Sequence, residues 1–284
     1  MSQPVSARVL GLLHIDPLRG PVALRTLDAV VGLPTDADDA GVATVVDGAA
    51  LLSRTRLAVG AVASWAVAVG APRGRATLVQ VGGAGGVAGP AGLYRARAYA
   101  AAVVGGPVDD AVAQATRERL LAGLPDFLRR CVVGPSEGEA VFLAALARLH
   151  ARGLLDACHD NAGALLDAVV HVLDDVDSGS GPVARHATIT NGVEILHLTR
   201  GAPAAVLTIA GLDDGVAGAV DPSFADSSAA RERNRRYRAV VVLAGLGGDL
   251  STRLGTRAPR GVQGEAVAST GALVIGRDLT VRRH

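Results

Sequence analysis

The sequence contains no lysine, so all 28 of its basic side chains are arginine. That excludes a lysine Schiff base and a P-loop lysine on a phosphate. Aromatic residues are nearly as scarce, with three Phe, three Tyr and one Trp in 284 residues. A core must therefore be built from Ala, Val and Leu, whose small side chains let helices approach a sheet closely. Cysteine is limited to Cys131 and Cys158, which share no motif, and both are expected to be free thiols. Charge of one sign is not in excess either. The net charge of +1 argues against a nucleic-acid partner.

Long hydrophobic runs are also missing. Residues 57–72 and 76–94 lack charge, but the first falls short of the roughly 20 residues that span a bilayer. The second carries six glycines and a proline. No membrane partner is expected. The first ten residues show no basic region followed by an apolar core, so the protein is expected to be cytoplasmic.

What is present is apolar material, 49% of the chain, in segments of two characters. Residues 8–33 read as a short apolar start followed by an amphipathic helix carrying Leu24, Leu27, Val30 and Val31 on one face. A buried helix is predicted over 48–69. Residues 76–81 form a strong strand candidate, followed by a glycine-rich turn and a helix over 91–102. This β-turn-α order is the unit from which parallel sheets are assembled. Residues 108–176 are predicted to be mostly helical. The run DDVDSGSGP at 174–182 is polar and rich in Gly and Ser, and reads as a linker. Beyond it, 193–198 and 205–209 read as a β-hairpin, 223–237 as a polar helix, and 239–244 and 272–275 as strands. The expected fold is therefore α/β, with a parallel or mixed sheet, flanking helices and a helical middle. Its two domains would be residues 1–176, with the glycine loop, and a smaller α/β domain at 183–284.

The residues with most chemical promise lie in the segment VGGAGGVAG, with Gly82, Gly83, Gly85, Gly86 and Gly89. Glycines between a strand and a helix expose backbone N–H groups that attract a phosphate or a developing oxyanion. The alternative is a tight turn needed only for close packing. A second glycine turn, with Gly247 and Gly248, follows the strand at 239–244.

Three family resemblances meet here. Thr77 to Gly82 with Gly86, Gly89, Gly92 and Leu93 resembles the second oxyanion segment of the crotonase superfamily, the enoyl-CoA hydratases and isomerases. VEILHLTRGAPAAVLTI leading to RAVVVLAGLGGDLS resembles the segment supplying the first oxyanion donor, here in reverse chain order. This resemblance implies a lyase or isomerase that stabilises a thioester enolate between backbone N–H groups. Its substrate would be a coenzyme A thioester and it would need no further cofactor. Asp109 and Asp110 lie nearest its second catalytic carboxylate, and Gly92 stands near the first.

The segment GGAGGVAG with Ala96-Arg97-Ala98 and Val103-Val104-Gly105 is similar instead to the cofactor unit of zinc-independent quinone oxidoreductases, which implies NADPH. Asp47 and Arg73-Gly74 resemble the catalytic-aspartate region of family III CoA transferases. A non-catalytic α/β scaffold or partner protein is the remaining alternative.

Two further candidates rest on residue type alone. Glu265 sits between glycines as a possible acid or base. Arg235, within the run Arg231, Arg233, Arg235, Arg236 and Arg238, could hold a phosphate. Both residues also suit a solvated surface. Cys158-His159-Asp160 with His150 and His171 fits no zinc spacing, and these histidines read as helix-surface residues. A small-molecule substrate and possible homo-oligomerisation complete the expected partners.

Overall fold

The computed structural model describes residues 8–28, 30–31, 37–56, 74–83, 92–105, 109–156, 161–180, 183–245, 259 and 261–284. Thirteen strands lie among them. They are β1 (Arg8–His14), β2 (Ala37–Val46), β3 (Ala49–Arg56), β4 (Ala76–Gly83), β5 (Leu93–Ala96), β6 (Tyr99–Gly105) and β7 (Arg185–Thr190). β8 (Ile195–Arg200), β9 (Ala204–Ala210), β10 (Arg238–Ala244), β11 (Val262–Val267), β12 (Thr270–Ile275) and β13 (Val281–Arg283) complete the set. The α-helices are α1 (Gly20–Asp28), α2 (Asp110–Ala122), α3 (Asp126–Arg129), α4 (Glu137–Ala151), α5 (Ala162–Ser180), α6 (Asp214–Val220) and α7 (Ser228–Arg236).

Seven strands form one sheet in the order β11-β9-β10-β1-β4-β2-β3, and six form a second in the order β13-β12-β8-β7-β6-β5. Every described strand pairing is antiparallel. This overturns the expected parallel or mixed sheet. Three apolar layers result. Leu10, Leu12, Val79 and Val241 pack the outer face of the first sheet against α1 and α6. Val9, Leu13, Leu78, Ala102, Val104, Ile195 and Val242 fill the space between the sheets. Phe142, Leu146, Val169, Leu173, Ala187 and Leu196 bury the second sheet under α4 and α5. The architecture is helix, sheet, sheet, helix.

β1 shows why these residues form strands. Six of its seven residues are buried, with successive side chains entering different layers. Both faces being covered, the strand reads as a continuous apolar run instead of an alternating one.

The predicted helix over 91–102 is instead β5 and β6. Ala100, Ala101 and Ala102 are good helix formers, but pairing with β5 and β7 overrides propensity. The small alanines let β6 sit between two packed layers. The hairpin turns at Arg97, which adopts φ 56° and lays its guanidinium over the Phe127 ring, 5.1 Å from its centroid. Of the helix predicted over 48–69, Gly48 lies in the turn before β3, residues 49–56 form β3, and residues 57–69 lie outside the described residues. β8 and β9 do not make the expected hairpin, because β8 belongs to the second sheet and β9 to the first.

The 174–182 segment is not a linker up to Ser180, since α5 runs through it. Its carboxylates are bound: Asp177 accepts from Arg200 Nη1 at 2.6 Å, Asp174 from Arg200 Nη2 at 2.7 Å, and Asp175 from Arg148 at 3.0 Å. Strands from before and after this point share both sheets, so the expected boundary falls inside one continuous fold. No helix among the described residues is long and apolar enough to cross a membrane.

Candidate functional site

One end of the sandwich collects the unusual features. β4 leaves the first sheet there at Gly83, and β10 ends there at Ala244, on either side of the start of β1. The two glycine-rich segments therefore depart from the same end, flanking β1. Of their candidate residues, Gly82 and Gly83 lie in β4. Gly85, Gly86, Gly89, Gly247 and Gly248 lie outside the described residues.

Two contacts between the sheets fix which residues of the second sheet share this end. Gly11, whose partner in its own sheet is Leu78, faces Thr188 across the sheets. Gly192, beyond the far end of β7, abuts Val45, and Val45 lies beyond Thr44, the partner of Thr77. Passing along β7 from Thr188 to Thr190 thus follows β4 from Leu78 towards Ala76. His186 must then lie at the Gln80 end, where its pairing partner Val104 lies too.

Gln80 is buried, and its Oε1 has no hydrogen-bond partner among the described residues. Its amide lies beside Gly92, where an added Cβ would stand 3.3 Å from Nε2, 2.9 Å from Tyr94 Oη and 3.0 Å from the Val103 carbonyl. Tyr94 Oη and Ser136 Oγ share a hydrogen bond of 2.7 Å. Ser136 caps α4, accepting from the Gly138 N–H at 3.1 Å. A Cβ at Gly138 would lie 3.0 Å from Val103 Cβ and 3.2 Å from Tyr94 Oη. Glycine at 92 and 138 is what admits the phenol. In the first turn of the same helix Glu139 accepts from the Val133 and Gly134 N–H groups at 2.8 and 2.9 Å.

His186 and His197 are buried behind Gln80's end, with rings 5.7 Å apart and nearly parallel. Thr188 Oγ1 lies 2.9 Å from His197 Nδ1. His197 Nε2 and both His186 nitrogens lack partners among the described residues. Burial pushes His186 down to about 4 and His197 to about 3, with repulsion from His186 adding to the latter. Both are neutral at pH 7.

At the opposite end of β1, His14 faces two carbonyls, Asp16 O at 3.0 Å and Gly74 O at 3.1 Å. Those favour the cation, but burial outweighs them and holds its pKa at about 4.

These three histidines dictate acid lability. Unfolded, each takes a proton near pH 6.5, whereas the folded groups resist protonation until about 4, 4 and 3. The unfolded state therefore binds more protons below 6.5. Stability is fully present above that pH and falls as pH drops towards 4, by up to about 1.4 kcal/mol per pH unit for each group. Glu137, whose carboxyl is raised by burial against the opposing effect of Arg185, acts in the other direction as one group against three. Urea midpoints should decline steadily from about pH 6.5 to 4.5. A flat profile would contradict the buried, neutral rings.

The remaining sequence candidates are dispersed. Asp109 is exposed and caps α2, accepting from Ala111 and Val112 N–H at 2.8 and 3.3 Å, with exposed Asp110 beside it. Glu265 is exposed on the edge strand β11 and forms an ion pair with Arg283. Arg235 shares Glu232 with Arg236, while Arg233 lies 3.6 Å from Asp16. α7 precedes the start of β10, so Arg235 and the glycine segments stand at opposite ends of a strand about 20 Å long. His150 packs edge-on against Phe127, and His171 approaches Asp175 at 3.8 Å. Cys131 is a free thiol that donates to the Phe127 carbonyl at 3.4 Å. Cys158 lies outside the described residues. Gln80, Tyr94, Ser136 and His186 were not singled out from sequence. A lone Gln inside an apolar strand and a His beginning another were the available signals.

No protein-family model matches the chain, and no curated protein matches it. Solved structures do. A glutamine phosphoribosylpyrophosphate amidotransferase from B. subtilis, complexed with ADP and GMP, superimposes with a TM-score of 0.53 at 14% identity. It covers 97% of this chain, which spans 49% of its length. A glutamine aminotransferase class-II domain protein from Silicibacter pomeroyi gives 0.51 at 18% identity, over 98% of both chains. The likeness is one of fold. This chain shares the fold of these two proteins, and that fold replaces the crotonase and quinone oxidoreductase resemblances together with the acyl-CoA lyase, isomerase and oxidoreductase functions they implied. A shared Ala/Gly/Val-rich composition had produced local matches to the glycine segments without the chain order or sheet type behind them.

Proposed function

We propose that this chain is a glutamine amidotransferase-type domain that binds a small molecule bearing a primary carboxamide, such as glutamine, at the Gln80 end of the sandwich. The observation carrying this reading is the buried Gln80 carbonyl at that end, without a partner among the described residues, in a fold matched end to end by a glutamine aminotransferase class-II domain protein. A buried acceptor without a partner costs about 1–3 kcal/mol, and a carboxamide NH2 offers two donors that could satisfy it. Neutral His186 adds one donor and one acceptor to the same end. No nucleotide cofactor enters this reading.

Hydrolysis of the amide would further require a nucleophile within reach of its carbon. The Cys131 thiol is engaged in its own helical turn, so binding and turnover are measured separately. Calorimetry should show saturable binding of L-glutamine in preference to L-glutamate. Gln80→Met, nearly equal in volume, should weaken it about tenfold or more while leaving the unliganded protein as stable or more so. An ammonia-release assay then separates a hydrolase from a binding domain. If a folded protein binds neither glutamine nor asparagine, the reading is wrong.

A further inference from the structure

Apart from Gln80, the first sheet lines the layer between the sheets with apolar residues across β1, β4, β9 and β10, but β7 and β8 place two imidazoles in it. His186 lies opposite Val104 and Thr199, and His197 lies opposite Leu273 and Thr188. We propose that His186 and His197 form an acid-sensitive latch, which holds the two sheets together at the Gln80 end when both rings are neutral and releases them when either is protonated.

Three features carry this. Both rings are almost wholly shielded from water, at 1% and 0% exposure. Three of the four ring nitrogens have no partner among the described residues, so a cation formed there gains no hydrogen bond to offset its desolvation. The rings stack at 5.7 Å, so a second proton would meet the first.

The charged groups around the pair offer no relief. Arg185 and Arg200 adjoin it on β7 and β8, but on the opposite face of the sheet, where Glu137, Asp174 and Asp177 bind them. Glu265 on β11 and Arg283 on β13 neutralise one another at the open edge of the layer. β6 and β12 contribute only Val104 and Leu273 as direct neighbours. On the first sheet, β4 contributes uncharged Gln80 at the same end. Protonation therefore strains the inter-sheet contact locally, and the cheapest response is to admit water at that end.

Hydrogen exchange of the full chain at about pH 7.5 and 4.5, corrected for intrinsic rates, tests this. Peptides covering β6 and β7 should exchange about tenfold faster or more at the lower pH. The double variant His186→Phe/His197→Leu should lose that response, while any response around His14, at the other end, persists. Should the double variant not fold, histidine ring resonances of the native chain give the second readout. They should stay neutral down to the pH at which β6 and β7 open, and titrate together with that opening. Equal acceleration in the folded double variant would overturn the latch. So would absence of acceleration in the native chain, or rings titrating near pH 6.5 with the sheets closed.

Discussion

Replacing Arg185 with leucine is expected to cost about 3–5 kcal/mol of stability, the range for removing one member of a buried ion pair. Arg185 opens β7 with no solvent exposure. Its Nη1 and Nη2 meet the two Glu137 carboxylate oxygens at 3.1 and 3.2 Å, and its Nε stands 3.9 Å from Asp177. Without the guanidinium, Glu137 is a buried carboxylate whose ionisation burial already disfavours. The loss extends further, because Arg185 lies directly opposite Arg200 in the β7–β8 ladder. Like charges so placed repel unless carboxylates separate them, and here α4 and α5 supply those carboxylates. Urea unfolding at pH 7 gives the measurement. Glu137→Leu added to Arg185→Leu should restore much of the loss, since a well-packed apolar pair often equals a buried ion pair. A single-variant loss under about 1 kcal/mol would mean that water reaches Glu137.

Gly105→Ala is expected to have an effect of similar size, about 2–5 kcal/mol, from two sources. Gly105 ends β6 at φ +90°, which carries a penalty for any residue with a Cβ. That Cβ would also run into the Ala184 carbonyl and lie 3.0 Å from Arg185 Cα, an overpacking against backbone that cannot move aside alone. Because the collision separates β6 from β7, it should also disturb His186 and Val104, the neighbouring pair in the register. Thermal unfolding measures the first effect, and the His186 ring resonance reports the second. Gly82→Ala serves as the control at the same end, since nothing lies within 4 Å of its added Cβ. Equal melting temperatures for the two variants would contradict the geometry.

Much of the local structure was legible. The strands at 76–81, 239–244 and 272–275 stand out as short apolar runs, and all three are strands. The helices in 108–176 follow from periodicity; that Ser136 and Asp109 cap two of them was not read from the sequence. The Ala-rich segment at 99–104 was misread because alanine favours helices until neighbouring strands claim its backbone. The 174–180 segment was misread for a different reason. Its aspartates look like a solvated linker, yet Asp174 and Asp177 face Arg185 and Arg200 and Asp175 faces Arg148, which are close only after folding.

The sequence by itself determined the small-residue core, the freedom from lysine chemistry, the positions of β4, β8, β9, β10 and β12, and the glycine segments after β4 and β10. Those depend on side-chain size, composition and near-neighbour periodicity, all of which are local. Tertiary structure decided that the strands run antiparallel in two stacked sheets and that β8 and β9 part company between them. It also decided that Gln80, Tyr94, Ser136 and His186 gather at one end while Asp109, Glu265 and Arg235 disperse. Strand direction and partner choice are set by burying two faces of each sheet at once, and that condition joins residues more than a hundred positions apart.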